Sequence, residues 1–399
     1  MASCHRTRAL PPPAYPEPHL GCNGGLLYHG LSMTKSPQED KILTVSSTER
    51  LASPDALLAP ACDWGGPLME GRSNTLPGLL NALGVYVLVV VLFLFGTFVS
   101  RDFLTTGNLL TALQTVTLLG IVAVGVSFVT YSKHYVDLSI PGIMALSGII
   151  AISALKWGFA ASLAAGVLAG LVVGVLNGLV VGYLRLNPII WTLAMMSVLS
   201  GIIRKAYGGR QVYPDETTAA GRAFLQLYHA EVLGLPLVVV VLVAVAVAAH
   251  FMLRKTAYGA QLKLTGSSYE VARMTGVEVR RTVAAAFVLS ALTSAIAGIL
   301  LTSFNKVGAC YIGKGYDFAA LTAVVLGGMT LAGGRGSVIG VLGGVAAIAL
   351  LNNVMSLADT GALFHGIFDS VKSIAQGVVF ILAVGIASYF RRRSGVDGE

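Results

Sequence analysis

The sequence predicts an all-α, polytopic membrane protein of about ten transmembrane elements, one of them re-entrant or broken. Three observations carry this. First, the 399 residues are 55% hydrophobic and only 12% charged, with a mean hydropathy of +0.76. Soluble domains average about 25% charged residues, so the chain has too little polar surface to cover a water-facing globule. Second, uncharged runs such as Leu79–Val99 reach the about 20 residues needed to cross about 30 Å of hydrocarbon. Third, the largest concentration of charge between Ser73 and Phe390 is one short segment, 254–281, with apolar runs on both sides.

Taken in order, the apolar runs fall at roughly 79–99, 108–131, 138–155, 157–183, 188–206, 234–253, 282–303, 316–331, 337–357 and 371–390. The eighth is short and flanked by glycine, so it reads as re-entrant or broken, a form tolerated only where protein or a cavity surrounds it. Residues 71–393 are thus one transmembrane body, with 394–399 a C-terminal tail. Residues 1–70 are different: they hold nine of the fourteen prolines, including Pro11-Pro12-Pro13. They read as a disordered or non-native extension, with Met33 and Met69 as alternative starts.

Charge sets the orientation. Arg391-Arg392-Arg393 directly follows the last span and marks the cytoplasmic face. Segment 254–281 holds six Lys/Arg and lies four elements earlier, so it shares that face, as does the N-terminus. Arg101, Lys156, Arg204, Lys205, Arg210 and Arg222 then face out. The net charge of +8 and pI of about 9.3 suit cytoplasmic loops beside anionic lipid, and no nucleic-acid partner is expected. The four cysteines, Cys4, Cys22, Cys62 and Cys310, form neither a CxxC nor a Cys/His metal spacing.

No catalytic constellation is present. Gly308–Gly315 comes close to a phosphate-binding loop, but Gly315 stands where a magnesium-holding hydroxyl belongs, and the loop follows an apolar span. The seven histidines have no ligand spacing; His134 alone lies among polar groups at an expected helix break. No cofactor or metal is expected, and any ATP hydrolysis falls to another polypeptide.

Polar groups inside apolar spans are costly unless partnered. Four clusters therefore stand out as a solute path. Lys133, His134, Asp137 and Ser139 precede Pro141-Gly142, which suggests an interrupted helix with free backbone groups. Asn177 lies mid-helix, Tyr316-Asp317 start the short eighth element, and Asn352-Asn353 lie late in the ninth. Asp and Asn suit bidentate hydrogen bonding to hydroxyls. The alternatives are that these groups satisfy one another and fix helix register, or that Lys133 and Asp137 form an internal ion pair. Gly166, Gly170, Gly174, Gly178 and Gly182 recur every four residues, and Gly336, Gly340 and Gly344 repeat the pattern. Such ridges permit close helix approach; intrachain packing is favoured over a dimer contact or a sliding surface. In the connector, Ser267 as N-cap and Glu270 at N3 start a helix of about two turns, which Gly276 stops.

These motifs together resemble the permease subunits of sugar-type ABC importers, the group of ribose, xylose and galactose systems. The similarity covers about residues 104–390. It rests on Asp137-Leu138-Ser139, Leu176-Asn177-Gly178, the Glu270–Val277 segment EVARMTGV, the Gly315–Gly340 stretch GYDFAALTAVVLGGMTLAGGRGSVIG, and Leu351-Asn352-Asn353. One departure is Lys133-His134-Tyr135-Val136, where that group usually has two glycines before its counterpart of Asp137. The resemblance implies a bacterial inner-membrane subunit that pairs with a second permease chain. A cytoplasmic ATP-binding subunit would dock at Glu270, Ala272, Arg273 and Gly276, and a periplasmic solute-binding protein would deliver a small polar solute, expected to be a simple sugar. Asp137, Ser139, Asn177, Tyr316, Asp317, Asn352 and Asn353 would line the path. The competing reading is a stand-alone ion-coupled carrier with Asp137 or Asp317 as its cation site.

Overall fold

The computed structural model describes residues 75–133, 136–232 and 234–358, with residues 374, 377–379, 381–382 and 385. The expectations for residues 1–70, His134, Arg391–Arg393 and the tail, and nearly all of 371–390, lie outside the described residues.

The regular structure of the described chain is helical apart from one two-residue β-pairing and an isolated β-bridge, with loops between. Its helices are α1 (Thr75–Val99), α2 (Thr106–Tyr131), α3 (Ile140–Ser153), α4 (Phe159–Gly182), α5 (Pro188–Tyr207), α6 (Ala219–Gln226), α7 (Leu237–Lys255), α8 (Ala257–Ser267), α9 (Tyr269–Met274), α10 (Val279–Asn305), α11 (Tyr316–Leu326) and α12 (Val338–Ala358). Strands β1 (Glu231–Val232) and β2 (Leu235–Pro236) pair antiparallel. Six of these helices (α2, α4, α5, α7, α10 and α12) are long and apolar enough to cross a membrane; Gly84–Val99 of α1, α3 and α11 are shorter apolar helices. Of the ten elements expected, six are therefore found at full length among the described residues; α1 is 25 residues long but is described in full only from Gly84, and 371–390 falls almost wholly outside the described residues, while α3 and α11 are short. Helix α3 has 14 residues and α11 has 11, or about 21 and 16 Å of helix, too short for a hydrocarbon core of about 30 Å. The two short helices are the two places where the sequence suggests an interruption, at Pro141-Gly142 and in the eighth element.

Local chemistry explains the ends. Thr105 caps α2 by accepting from Asn108 N–H, and Asn187 caps α5 through Ile189 and Ile190 N–H, with Pro188 in the first turn. Pro141 sits in the first turn of α3, after the break that follows α2.

Most of α2, α10 and α12 is buried in the body, whereas α4, α5 and α7 lie at its periphery. Leu168, Val172, Ile190, Val198, Val243 and Val247 are exposed there, as suits helices facing lipid or another membrane chain. The glycine ridge of α4 packs within this chain. A Cβ at Gly170 or Gly174 would run into Ala295 or Ala291 of α10, and one at Gly178 would lie 2.6 Å from the Ala284 carbonyl oxygen. Only glycine lets the two backbones approach so closely. On α12, Gly340 and Gly344 approach the backbones of Gly327 and Ala323 in the same manner.

The connections gather at two ends. At one end the Tyr131 carbonyl accepts from Gly334 N–H at 3.0 Å, Arg185 in the α4–α5 turn bonds the Tyr269 hydroxyl, and Gly182 abuts Arg280. At the other, Val212 and Gly308 form a β-bridge, Gln211 donates to the Tyr311 hydroxyl at 2.7 Å, and Ser303 donates to the Phe224 carbonyl at 2.6 Å.

Candidate functional site

The break between α2 and α3 carries the densest polar network. Lys133 ends α2 with φ 68. This left-handed conformation suits glycine, and a side chain there costs about 1–2 kcal/mol. Two residues beyond the undescribed pair, Asp137 turns inward and is fully buried. Its Oδ1 accepts from Ser139 N–H at 3.0 Å and from Ser139 Oγ–H at 2.6 Å; its Oδ2 accepts from Ser290 of α10 at 3.3 Å. Asn177 of α4 donates to Ser139 Oγ at 2.8 Å and accepts from the Trp191 indole of α5 at 3.0 Å. Thr192 of α5 accepts from Leu138 N–H at 3.1 Å. One connected set of bonds therefore pins the break to α4, α5 and α10. The expected ion pair does not form: Lys133 is exposed, and the one ion pair among the described residues joins Arg281 to Glu278. A carboxylate held by hydroxyl and amide donors meets its hydrogen-bonding needs without a cation.

Asp137, Ser139 and Asn177 are thus brought together, and Trp191, Thr192 and Ser290 join them. The other expected path residues sit elsewhere. Tyr316 and Asp317 open α11, where Asp317 is buried. No hydrogen bond links them to the network, although α11 packs on the break through Leu321 and Val325 against Val136 and Leu138. Asn353 exchanges two bonds with Asn108 of α2, at 2.8 and 3.0 Å, and Asn108 also donates to the Phe103 carbonyl. That pairing fixes α12 against the start of α2; Asn352 beside it is buried.

The connector is two helices, α8 and α9. Its N-cap is Ser268, which accepts from Val271 N–H, not Ser267; Ser267 ends α8 and donates to the Lys263 carbonyl at 2.9 Å. Glu270 consequently sits at N2. The stop is as expected: Gly276 has φ 81, and the bonds Gly276 N–H to Arg273 O and Val277 N–H to Ala272 O close a Schellman cap. Ala272 is fully buried and anchors α9, while Glu270, Val271, Arg273 and Met274 face outward. Met274 is 86% exposed. Two apolar side chains three residues apart, flanked by opposite charges, make a small adhesive face.

A helical membrane body with a buried polar break and an exposed helix at one end defines a transport subunit. Comparison with known proteins gives the family. Residues 108–384 match the family described as "Branched-chain amino acid transport system / permease component", and the chain belongs to it. It is 32% identical over 343 residues to the L-arabinose ABC transporter permease protein AraH of Azospirillum brasilense, covering 86% of this chain and 95% of the relative. It is 31% identical over 309 residues to the ribose import permease protein RbsC of Bacillus subtilis, covering 77% and 92%. For the ribose import permease protein RbsC of Escherichia coli K12 the values are 30% over 315 residues, 78% and 95%. No solved structure matches the chain. The chain is accordingly the permease subunit of an ATP-driven importer, a transport component rather than an enzyme, and not the stand-alone carrier of the competing reading.

Proposed function

We propose that this subunit carries a small polyhydroxylated solute, a simple sugar such as those named for its relatives, across the bacterial inner membrane. The network of Asp137, Ser139, Asn177 and Trp191 carries the reading. It offers acceptors and donors without a cation, beside an indole ring that can face the apolar side of a sugar. Sugar hydroxyls can replace the Ser139–Asn177 and Asp137–Ser290 bonds one for one, so an opened break exchanges internal partners for solute at little cost. Tyr316, Asp317, Asn352 and Asn353 belong to the same path in its other conformations.

The work comes from a cytoplasmic ATP-binding subunit docked on the α9 face of Glu270, Val271, Arg273 and Met274. Ala272 holds that helix to the body and Gly276 ends it. ATP acts by binding the two states of the partner unequally. The end bearing α8 and α9 collects Lys133, Arg185, Arg254, Lys255, Lys263, Arg273, Arg280, Arg281 and Arg335 against Glu270 and Glu278, which supports a cytoplasmic assignment. The opposite end, with its 208–236 and 306–315 segments, receives a periplasmic solute-binding protein. A second permease chain covers part of the exposed apolar periphery. Residues 71–393 form the transmembrane body, with 254–281 as its coupling segment.

Glu270→Ala/Arg273→Ala in the assembled importer tests the docking role. Uptake into vesicles is expected to fall while the subunit remains inserted and the partner still hydrolyses ATP; unchanged uptake removes α9 from the coupling role. Asp137→Ala is expected to impair uptake with the ATPase still bound, and normal transport kinetics would remove Asp137 from the path.

A further inference from the structure

A cavity lies at the cytoplasmic end of α7, beside the last residue of α2. It encloses about 420 Å³ between α7, α8 and the start of α12, and His250, Arg254, Lys263, Tyr131 and Ser337 line it. No acidic side chain lines it, and neither Arg254 nor Lys263 has an acidic partner among the described residues. Ser337 accepts from Gly340 N–H at 3.0 Å, which leaves its hydroxyl proton directed to no acceptor among the described residues. Two cations and hydroxyl donors around one concavity form an anion receptor, with guanidinium geometry suited to phosphate oxygens.

The cavity also continues into a membrane-facing stripe. Val243, Val247 and Phe251 recur every four residues on α7 and are 54%, 62% and 61% exposed. Arg254 lies seven residues beyond Val247, on the same helix face. Val243 to Arg254 is eleven residues, about 16 Å of helix, close to the thickness of one leaflet's hydrocarbon. An apolar track of one leaflet's depth that ends in a basic cavity fits one molecule: an anionic phospholipid of the cytoplasmic leaflet, its acyl chain along the track and its phosphate between Arg254 and Lys263.

We propose that this cavity is a specific anionic-phospholipid site, and that the lipid sets the angle between α7 and α8. Arg254 is on α7 and Lys263 on α8, so a phosphate between them bridges the junction at Thr256. α8 leads directly into α9, so occupancy bears on the docking helix. Charge attraction near an anionic surface is worth about fivefold per cation, so the pair contributes about 30-fold. The proposal rests on the orientation given above, but lipid retention by the purified chain is read without any uptake, so the two fail separately.

The test is native mass spectrometry of the purified full chain with phosphatidylglycerol or phosphatidylcholine, followed by ATPase and uptake measurements of the assembled importer in vesicles of each lipid. The wild type is expected to retain phosphatidylglycerol preferentially, and Arg254→Gln/Lys263→Gln to lose that preference by about 30-fold. Arg204→Gln/Lys205→Gln, at the opposite end, serves as the control and is expected to keep it. The ratio of uptake to hydrolysis is expected to rise with phosphatidylglycerol in the wild type and not in the cavity variant. Equal retention by the two variants overturns the site. Inorganic phosphate that binds the cavity and displaces the lipid at equal affinity makes it a soluble-anion site and overturns the lipid assignment. Retention lost without any change in coupling overturns the hinge role.

Discussion

The bond between the Trp191 indole and Asn177 tests whether the break is held by side chains from neighbouring helices. Asn177→Ala removes two contacts, at 2.8 and 3.0 Å. Their losses are unequal. Ser139 still donates to Asp137, so losing the Asn177 donor costs only about 0.6 kcal/mol, the average for such bonds in membranes. Trp191 has no other acceptor among the described residues, and an orphaned donor costs about 1–3 kcal/mol, the lower half applying because the ring is half-buried. The sum is about 2 kcal/mol. Trp191→Phe removes the same bond from the other side and is expected to cost about 1 kcal/mol. In the double variant the shared bond is counted once, so the coupling energy should be about 1 kcal/mol. Denaturant titration of the solubilised protein, followed by tryptophan-independent circular dichroism, gives all four corners of the cycle. Additivity within about 0.3 kcal/mol, the behaviour of independent sites, would mean that the bond is not made and that the network does not pin the break.

Three further outcomes are expected. Gly178→Ala places a Cβ 2.6 Å from the Ala284 carbonyl oxygen and should destabilise by about 1–3 kcal/mol, whereas Gly201→Ala, with nothing within 4 Å, should be harmless; equal melting temperatures would refute the close α4–α10 approach. Gly276→Val forces a β-branched residue to φ 81 and should cost about 1–2 kcal/mol and lower coupling, with Gly276→Asn recovering much of both; indistinguishable variants would refute the Schellman stop. In the outer loop, bonds from the Thr217 hydroxyl and N–H hold the Asp215 carboxyl below its ordinary range. A depressed carboxylate stabilises its turn above the unfolded value, and the effect fades as pH falls through the folded one. Proteolytic nicking at 215–218 should therefore increase only below the usual carboxylate range, and Asp215→Ala should remove that pH dependence.

Much of this was legible from residues alone, and the gaps have physical causes. Pro141-Gly142 after a polar run identified the break, because proline in a first turn and clustered buried polar groups both mark an interrupted helix. Four-residue glycine spacing identified a close-packed ridge, and the favoured intrachain partner proved to be α10. Helix length was less legible: an apolar run reports transfer into lipid and says nothing of how many of its residues stay helical, so α3 was read as a run of 138–155 where 14 residues are helical, whereas the glycine flanks of α11 did mark it as short or broken. Trp191 and Ser290 were missed because a single indole or hydroxyl in an apolar helix has no pattern of its own; its role depends on what stands opposite. The cap was misplaced by one residue because Ser267 and Ser268 are equally competent in sequence, and only the Ser267 bond back to the Lys263 carbonyl commits the first to α8. The outward placement of Val271 and Met274 depended on which side of α9 the body occupies.

The same bonds connect α9, the proposed docking helix, to the buried break. Tyr269 opens α9, and its hydroxyl and ring are both engaged by Arg185, whose guanidinium lies 5.3 Å from the ring centre. Arg185 stands in the α4–α5 turn with φ 56, two residues before the Asn187 cap of α5. The first turns of α5 then present Trp191 to Asn177 and Thr192 to Leu138. From α9 to the Asp137 network there are therefore only two non-covalent steps, Tyr269–Arg185 and α5 to the break, joined by one short rigid helix start. A pull on α9 that carries Arg185 with it tilts the start of α5, and the bonds it strains are those that close the break. Packed helices with glycine-tight backbones transmit such a displacement instead of absorbing it, because interiors at crystal-like density do not deform continuously. Under the proposed docking role, this arrangement joins α9 to the Asp137 cluster through Arg185, which is held in the left-handed region at φ 56 at the junction between them.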